Sequence, residues 1–190
     1  MQTIYAFSGL GADSRAFANL DLSGYTVVHI DWLLPNSRES LSDYVLRLAE
    51  KYSIPKQGAF VIGISFGGMC LSTLAKTYDF AKIVFISTAK TKYELPRSYR
   101  FSKYIPLYKL IPAQQLTKSN AILAWLFSAK TSVEKQLLKE TIEGSNPTFL
   151  KWAINSIIHW DNTVIPTNFF HIHGDEDRII PISNVKYMMR

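Results

Sequence analysis

Residues 58–70, Gly-Ala-Phe-Val-Ile-Gly-Ile-Ser-Phe-Gly-Gly-Met-Cys, decide the fold of this 190-residue chain. An apolar run leads into Ser65, and the small residues Gly63 and Gly67 stand two positions before and two positions after it. Gly-x-Ser-x-Gly between a strand and a helix is typical of a very tight strand-to-helix turn. A larger side chain at either glycine would collide with the neighbouring strand and helix. The flanking elements favour this turn over a chance Gly/Ser loop.

Five short segments rich in β-branched or aromatic residues predict strands of one sheet. Their near-continuous apolar character indicates a mostly parallel sheet covered by helices on both faces. Helical spacing over Ser40–Lys51 and Gly67–Thr77 alternates with the strands, so we expect an α/β fold with right-handed crossovers. The predicted strands are Thr3–Phe7, Thr26–Asp31, Gly58–Ile64, Lys82–Ser87 and Asn168–His173.

The alternation of strands and helices stops after Ser87 and returns near residue 162. Helical periodicity takes over between these points, which predicts a helical insertion over residues 89–161 in a core formed by residues 1–88 and 162–190. Asn146 before Pro147 predicts a helix start. The candidate helices are Ser98–Leu110, Ser119–Ser128, Ser132–Glu143 and Pro147–His159. We interpret the insertion as a cap rather than an independent domain.

Ser65 is the candidate nucleophile of this sequence. The tight turn is expected to strain its backbone and lift its hydroxyl above the sheet edge. Two N–H donors are needed for the negative charge that develops on an attacked acyl oxygen. The backbone of Phe66, at the start of the following helix, is one candidate, and that of Leu10, in the Gly-rich segment after the first strand, is the other. An ordinary Gly-rich turn is the alternative for the second segment.

Polar residues after the last strand supply the candidate acid. A carboxylate at a strand end can hold a histidine in the tautomer that a serine nucleophile needs. We assign this role to Asp177, and we expect Asp175 and Glu176 to serve the turn. A metal site built from these acids with His171 and His173 is the alternative, but alternate residues of one strand are more often satisfied core histidines.

The chain resembles small members of the α/β-hydrolase superfamily that carry a helical cap. The resemblance covers nearly the whole length, through Ser8-Gly9-Leu10, the turn Gly63–Gly67, the helical insertion and His173-Gly174-x-x-Asp177-x-x-x-Pro181. It implies hydrolysis of an ester, thioester or similar acyl bond without metal or organic cofactor. The aromatic and leucine content of the cap suggests a small-molecule substrate with an apolar part.

The resemblance also places a catalytic histidine last, after one more helix and strand, and no histidine follows His173. A truncated chain is the simplest explanation, and natural loss of the base is the alternative. His29 lies within a predicted strand, and His159 could approach the site from the cap. We therefore expect weak or no activity from the chain as given. A ligand-binding homologue without turnover is the competing function.

Charge and composition bound the partners. The net charge is +6. The excess lies in residues 88–160, with eleven Lys or Arg against four Asp or Glu. Basic residues alternate there with tyrosines and phenylalanine, which could mark a nucleic-acid or membrane surface, but no nucleic-acid motif accompanies them. A solvated helical face over packed aromatics is the expected alternative. With no long apolar run, no signal-peptide pattern and one cysteine, we expect no membrane span and a cytoplasmic location. The basic residues concerned are Lys90, Lys92, Arg97, Arg100, Lys103 and Lys109.

Overall fold

Five parallel strands form the centre of the molecule. The computed structural model describes residues 1–105, 110–118 and 121–186. The strands lie in the order β2-β1-β3-β4-β5, and every neighbouring pair is parallel. The predicted parallel α/β sheet is therefore confirmed. The strands are β1 (Gln2–Phe7), β2 (Tyr25–Ile30), β3 (Phe60–Ile64), β4 (Lys82–Ile86) and β5 (Phe169–Ile172).

Six α-helices connect or follow the strands in the described part of the chain. Helix α1 begins after Ser40, whose hydroxyl accepts a hydrogen bond from the Asp43 amide. Asn146 caps α6 in the same way through its side-chain oxygen, so the predicted start at Asn146-Pro147 is found. The helices are α1 (Leu41–Lys51), α2 (Phe66–Leu74), α3 (Arg97–Ser102), α4 (Ala121–Leu126), α5 (Ser132–Glu143) and α6 (Pro147–His159).

Helices α3 and α4 differ from their predicted lengths. The apolar spacing predicts helices over 98–110 and 119–128, whereas α3 ends at Ser102 and α4 spans Ala121–Leu126. Residues 106–109 and 119–120, which belong to the two predicted segments, lie outside the described residues, as do 187–190 at the end of the predicted core.

The two faces of the sheet are packed differently. Side chains alternate along each strand, so Phe7 and Phe85 join α1 and α2 in the larger apolar core. Ala6 and Ile62 point to the opposite face, where Phe17 of the 3₁₀ turn Ser14–Phe17 covers them. At the β5 edge of that face Phe170 is 61% exposed. The larger apolar core, which supports the candidate site, therefore lies on the face that α1 and α2 cover.

Aromatic packing fastens α6 to the core beside the start of α2. The Phe149 ring lies 5.5 Å from the Trp32 ring and 6.3 Å from the Phe66 ring, centroid to centroid. Trp152 packs on Tyr44 at 4.3 Å, and its indole N–H donates to the Glu39 carbonyl at 2.9 Å. The last helix of the insertion is thus held against the element that begins directly after Ser65.

The basic and aromatic segment after β4 follows the predicted solvated face only in part, with Arg97 and Lys103 exposed and Tyr99 packed on the core. Lys90 is wholly buried, because it forms an ion pair with Glu94 inside the protein. Tyr93, Phe101 and Tyr104 are 57%, 67% and 73% exposed rather than packed beneath the charges. Lys109 lies outside the described residues.

In the described ranges, no helix combines the length and the apolar character needed to cross a bilayer.

Candidate active site

Ser65 lies at the junction of β3 and α2 in a strained backbone conformation. Its φ and ψ are 49° and −116°, a combination that non-glycine residues avoid and that costs about 1–3 kcal/mol. The surrounding hydrogen bonds over-determine it: the Ser65 N–H donates to the Ile86 carbonyl at 3.0 Å. Its carbonyl accepts from the Thr88 hydroxyl at 2.5 Å and from the Met69 N–H at 3.2 Å. The sharp turn expected at this residue is present.

Glycines let three backbone segments approach one another around Ser65. A Cβ atom at Gly63 would lie 2.7 Å from the Gly68 nitrogen. One at Gly67 would overlap the carbonyl oxygens of Phe7 and Ser8 at the end of β1. One at Gly68, a position that the sequence analysis did not single out, would lie 2.6 Å from the Thr88 hydroxyl oxygen. No side chain fits at these positions without displacing backbone or Thr88.

The two proposed oxyanion donors flank Ser65. The segment containing Leu10 adjoins the serine, since a Cβ on Gly9 would lie 3.7 Å from the Ser65 Cβ. The Gly9 carbonyl is fixed by the Trp32 indole N–H at 3.2 Å and the Ala12 N–H at 3.0 Å. In the described part of the chain, the Leu10 N–H and the Phe66 N–H donate to no protein acceptor. Phe66 also begins α2, where the helix dipole favours negative charge.

Asp177 follows β5 and lies on the wall of the same pocket as Ser65. Its Oδ1 accepts hydrogen bonds from the backbone N–H groups of Ile179 and Ile180, at 2.9 and 2.8 Å. Its Oδ2 lies 3.2 Å from Nε2 of His173, and the Asp177 side chain is 14% exposed. The structure thus brings Asp177 and Ser65 to one cavity.

Two other charged residues of this loop, Glu176 and Arg178, contact the insertion. Glu176 pairs with Lys130 at 2.5 Å, and its carbonyl accepts from the Ser128 hydroxyl at 3.0 Å. Arg178 donates to the Trp125 carbonyl at 2.7 Å and lies over the Trp125 ring. Asp175 is exposed. Within the described residues, no group of three or more His, Cys, Asp or Glu is arranged to hold a metal ion.

The cavity above Ser65 has a volume of about 550 Å³. It is lined by the segments that follow β1, β3 and β4, by the loop after β5, and by α5 with the segment after α4. Most of the lining is apolar, and Ser65 and Asp177 are among its polar members. Ser145, before α6, donates to the Gly11 carbonyl at 2.8 Å and ties the insertion to the loop after β1. The apolar wall includes Leu10, Ile64, Leu126, Phe127, Leu137, Leu138, Ile142 and Ile179.

None of the four histidines of the sequence is among the residues that line this cavity in the described part of the chain. His29 packs on Phe17, with ring centroids 5.6 Å apart. His159, considered above as a substitute base, is exposed and bonds through Nδ1 to the Asn155 carbonyl at 2.8 Å. His171 and His173 are in contact with each other. Ser65 Oγ takes part in no hydrogen bond among the described residues.

Burial of His171 makes stability depend on pH. Burial, the Lys90 ammonium and His173 lower the pKa of His171 to about 3, whereas in the unfolded chain it keeps its ordinary value of about 6.5. The unfolded state therefore binds more protons between these values, and stability is lost as the pH falls through this window. We expect the free energy of unfolding to drop by about 2 kcal/mol more between pH 7 and pH 4.5 in the wild type than in His171→Gln. Urea unfolding at both values measures this, and equal losses in the two proteins would contradict it.

Solved structures of hydrolases share this arrangement of strands and helices. A hydrolase from Pseudomonas aeruginosa PA01 has a TM-score of 0.71 and 14% identity, over 96% of this chain and 75% of that chain. An esterase from Exiguobacterium antarcticum has a TM-score of 0.70 and 12% identity, over 96% and 77%. A thermophilic esterase from Thermogutta terrifontis also has a TM-score of 0.70 and 12% identity, over 97% and 75%. The chain has the α/β-hydrolase fold.

Sequence comparison, unlike structure comparison, finds no similar protein. No protein-family model and no curated protein sequence matches the chain. At 12–14% identity the solved structures establish the fold alone; chemistry must be argued from the residues of the site.

Proposed function

We propose that this chain is a serine hydrolase of esters, thioesters or similar acyl bonds, with Ser65 as the nucleophile. One observation carries the proposal: the Ser65 turn is held at positive φ in the lining of an apolar cavity that Asp177 also lines. Backbone strain of this kind persists only where the surrounding structure enforces it, and it is concentrated at functional sites. The solved structures of similar fold that are named above are hydrolases and esterases, which supports the same class.

The proposed reaction begins with attack of Ser65 Oγ on the acyl carbon. The electron pair of the carbonyl bond moves to its oxygen, where the N–H groups of Leu10 and Phe66 stabilise the negative charge. The carbonyl then re-forms and expels the alcohol or thiol, which takes up the proton that the base accepted from Ser65, leaving an acyl group on Ser65. Water attacks this acyl-enzyme in the same way and releases the acid. Removal of one oxyanion donor lowers the rate of another hydrolase by about 10²–10³.

The reaction needs a base that accepts the Ser65 proton, because a serine hydroxyl is a poor nucleophile at neutral pH. In the proposed mechanism Asp177 orients an imidazole for this purpose and stabilises its protonated form. No histidine of this sequence lines the described cavity, so added imidazole is the appropriate probe of the site.

We propose that residues 89–161 act as a cap over the core formed by 1–88 and 162–190. The insertion contributes part of the cavity lining, and its Leu126, Leu137 and Ile142 side chains provide apolar surface there. Burial of apolar substrate area there would stabilise binding by about 25 cal/mol per Å². A small-molecule ester with an apolar acyl chain fits this lining.

Imidazole-dependent ester hydrolysis tests the proposal on the chain as it is. With a p-nitrophenyl ester of a medium-length acid, we expect imidazole to increase the protein-dependent rate at least about ten-fold, a fraction of the roughly 10²–10⁴ that a positioned base supplies. The rate of the ester with imidazole alone is subtracted. Ser65→Ala should remove the increase, and Asp177→Asn should reduce it strongly.

Ser72→Ala is a matched control, because Ser72 is a buried serine of α2 outside the cavity lining. It should leave the imidazole-dependent rate unchanged. The proposal fails if the rate increase persists in Ser65→Ala, or if imidazole gives no increase above the subtracted background.

The absence of histidine from the described cavity lining favours a second candidate function, ligand binding without turnover. The same apolar cavity would then hold an acyl compound that is released intact. Calorimetry with a non-hydrolysable amide or ketone analogue, together with unchanged ester in the presence of imidazole, would select this function over hydrolysis.

A further inference from the structure

A buried row of polar side chains runs from the end of β4 to Asp177. The Lys90 ammonium lies 2.8 Å from Glu94 Oε1 and 2.8 Å from His171 Nδ1. His171 Nε2 lies 3.3 Å from His173 Nδ1, and His173 Nε2 lies 3.2 Å from Asp177 Oδ2. The Lys90, Glu94 and His173 side chains are 0%, 1% and 0% exposed. Apart from Asp177, the proposed reaction uses none of these residues.

Topology accounts for the alignment. His171 lies in β5, and His173 directly follows this strand. Because side chains alternate along a strand, the two histidines share one face of the sheet. Lys90 follows β4, the strand that pairs with β5 in parallel. The turn from Gly174 to Asp177, closed by the Asp177 N–H on the Gly174 carbonyl at 3.3 Å, returns the carboxylate to the His173 ring.

The hydrogen bonds of the row all donate in the same direction, from Lys90 toward Asp177. The Ile180 carbonyl lies 2.7 Å from His173 Nε2, and Asp177 Oδ2 is also an acceptor, so this nitrogen carries the ring proton. His173 Nδ1 then accepts from His171 Nε2–H, and His171 Nδ1 accepts from the Lys90 ammonium, which can only donate. The Thr88 carbonyl is a further acceptor near the His171 ring. These partners place a proton on Nε2 of both rings.

Glu94 and Asn162 hold the Lys90 end of the row. Glu94 Oε2 accepts from the Lys90 N–H at 2.6 Å, and Oε1 also accepts from the Lys186 N–H at 3.0 Å. The Asn162 side chain bonds the Lys90 carbonyl at 2.7 Å. Burial of an ion pair is costly unless its geometry and hydrogen bonds are complete. This row meets that condition, and it ends on Asp177, one of the acidic residues that line the cavity.

We propose that Lys90, His171 and His173 are positioning residues that hold the Asp177 carboxylate for its role at the site. The proposal rests on the proposed function, in which Asp177 is the acid. Backbone N–H groups fix Oδ1, so the His173 N–H on Oδ2 completes the orientation of the carboxylate plane. Lys90 and His171 fix the His173 ring from behind. Each carboxylate oxygen has two acceptor sites, so Oδ2 keeps one for the N–H of a base.

Nitrogen NMR of the imidazoles tests the direction of the row without any assay of activity. Long-range ¹⁵N–¹H spectra of the wild type at pH 7 should show the proton on Nε2 in both His171 and His173. His159, exposed at the end of α6, serves as the internal reference. A proton on Nδ1 of either buried ring would overturn the proposal.

Variants of His173 test positioning against a merely structural role. The Ile179 and Ile180 N–H groups donate to Asp177, so the rate of their hydrogen exchange reports on the position of its carboxylate. The rates are measured relative to those of amides in β3. His173→Leu should accelerate this exchange about ten-fold, the factor expected for loss of one hydrogen bond to a charged group. His173→Gln, which can still donate, should recover most of the protection. Equal acceleration in both variants would overturn the proposal.

The Lys90 end of the row, distal to Asp177, is tested by the double variant Lys90→Met with Glu94→Gln. In this variant no unpaired buried charge remains. This variant should accelerate exchange of the same two amides and lower the imidazole-dependent labelling of Ser65 by a fluorophosphonate. Lys130→Met with Glu176→Gln, at the exposed ion pair, is the matched control and should leave the exchange of those amides unchanged. Unchanged exchange in the distal variant would overturn the role of Lys90. If the wild type itself is not labelled, the proposed function fails, and the NMR and exchange results still decide the positioning role.

Discussion

Replacement of Gly67 by alanine is expected to lower the free energy of unfolding by at least about 3 kcal/mol. This is the upper end of the loss that overpacking of a well-packed core causes. The added Cβ would overlap the carbonyl oxygens of Phe7 and Ser8, which belong to backbone and cannot swing away. Relief would require α2 to move from β1, and that would also move Ser65. Urea unfolding measures the change.

Gly24→Ala is the control for the Gly67 variant. Gly24 has no atom within 4 Å of the position that a Cβ would take, so the same chemical change should alter stability by less than about 0.5 kcal/mol. A Gly67→Ala protein with wild-type stability would show that the close approach of α2 to β1 is wrong, and with it the geometry of the Ser65 turn.

Replacement of Lys90 by methionine is expected to destabilise the protein by about 3–5 kcal/mol, since it leaves Glu94 buried without its cation. The two side chains are 0% and 1% exposed, so water cannot compensate for the lost partner. Thermal or urea unfolding at pH 7 measures the loss. Lys90→Met combined with Glu94→Gln should recover a large part of it, because no buried charge is then unpaired.

Lys130→Met is the control for the Lys90 variant. It breaks the exposed pair with Glu176, whose side chains are 66% and 59% exposed, and should leave stability essentially unchanged. Similar losses in Lys90→Met and Lys130→Met would contradict the assignment of a buried ion pair below Asp177.

The strands and the Ser65 turn could be predicted because local sequence determines them. Apolar runs such as 59–64 have no stable place except inside a covered sheet, and glycines flanking a serine restrict the turn. The capping box of α5 was also available from the sequence. Thr131 and Glu134 satisfy each other's backbone N–H groups; the predicted helix has the observed bounds, Ser132–Glu143, but this pair was not singled out.

Long-range contacts account for what the sequence did not reveal. Lys90 was grouped with surface lysines, although Glu94 lies four residues later, because nothing local shows that both side chains point inward. Thr88 bonds the Ser65 carbonyl across 23 residues, and Lys90 meets His171 across 81. Such partners become visible only when β4 and β5 are paired.

Peptide mapping after fluorophosphonate treatment tests the central claim most directly. The protein is incubated with the reagent and imidazole, digested, and the site of phosphonylation is identified by mass spectrometry. We expect a single modified residue, Ser65, and no adduct in Ser65→Ala. Modification of another residue at the same rate, or an unmodified Ser65 peptide with imidazole present, would contradict the assignment of Ser65 as the nucleophile.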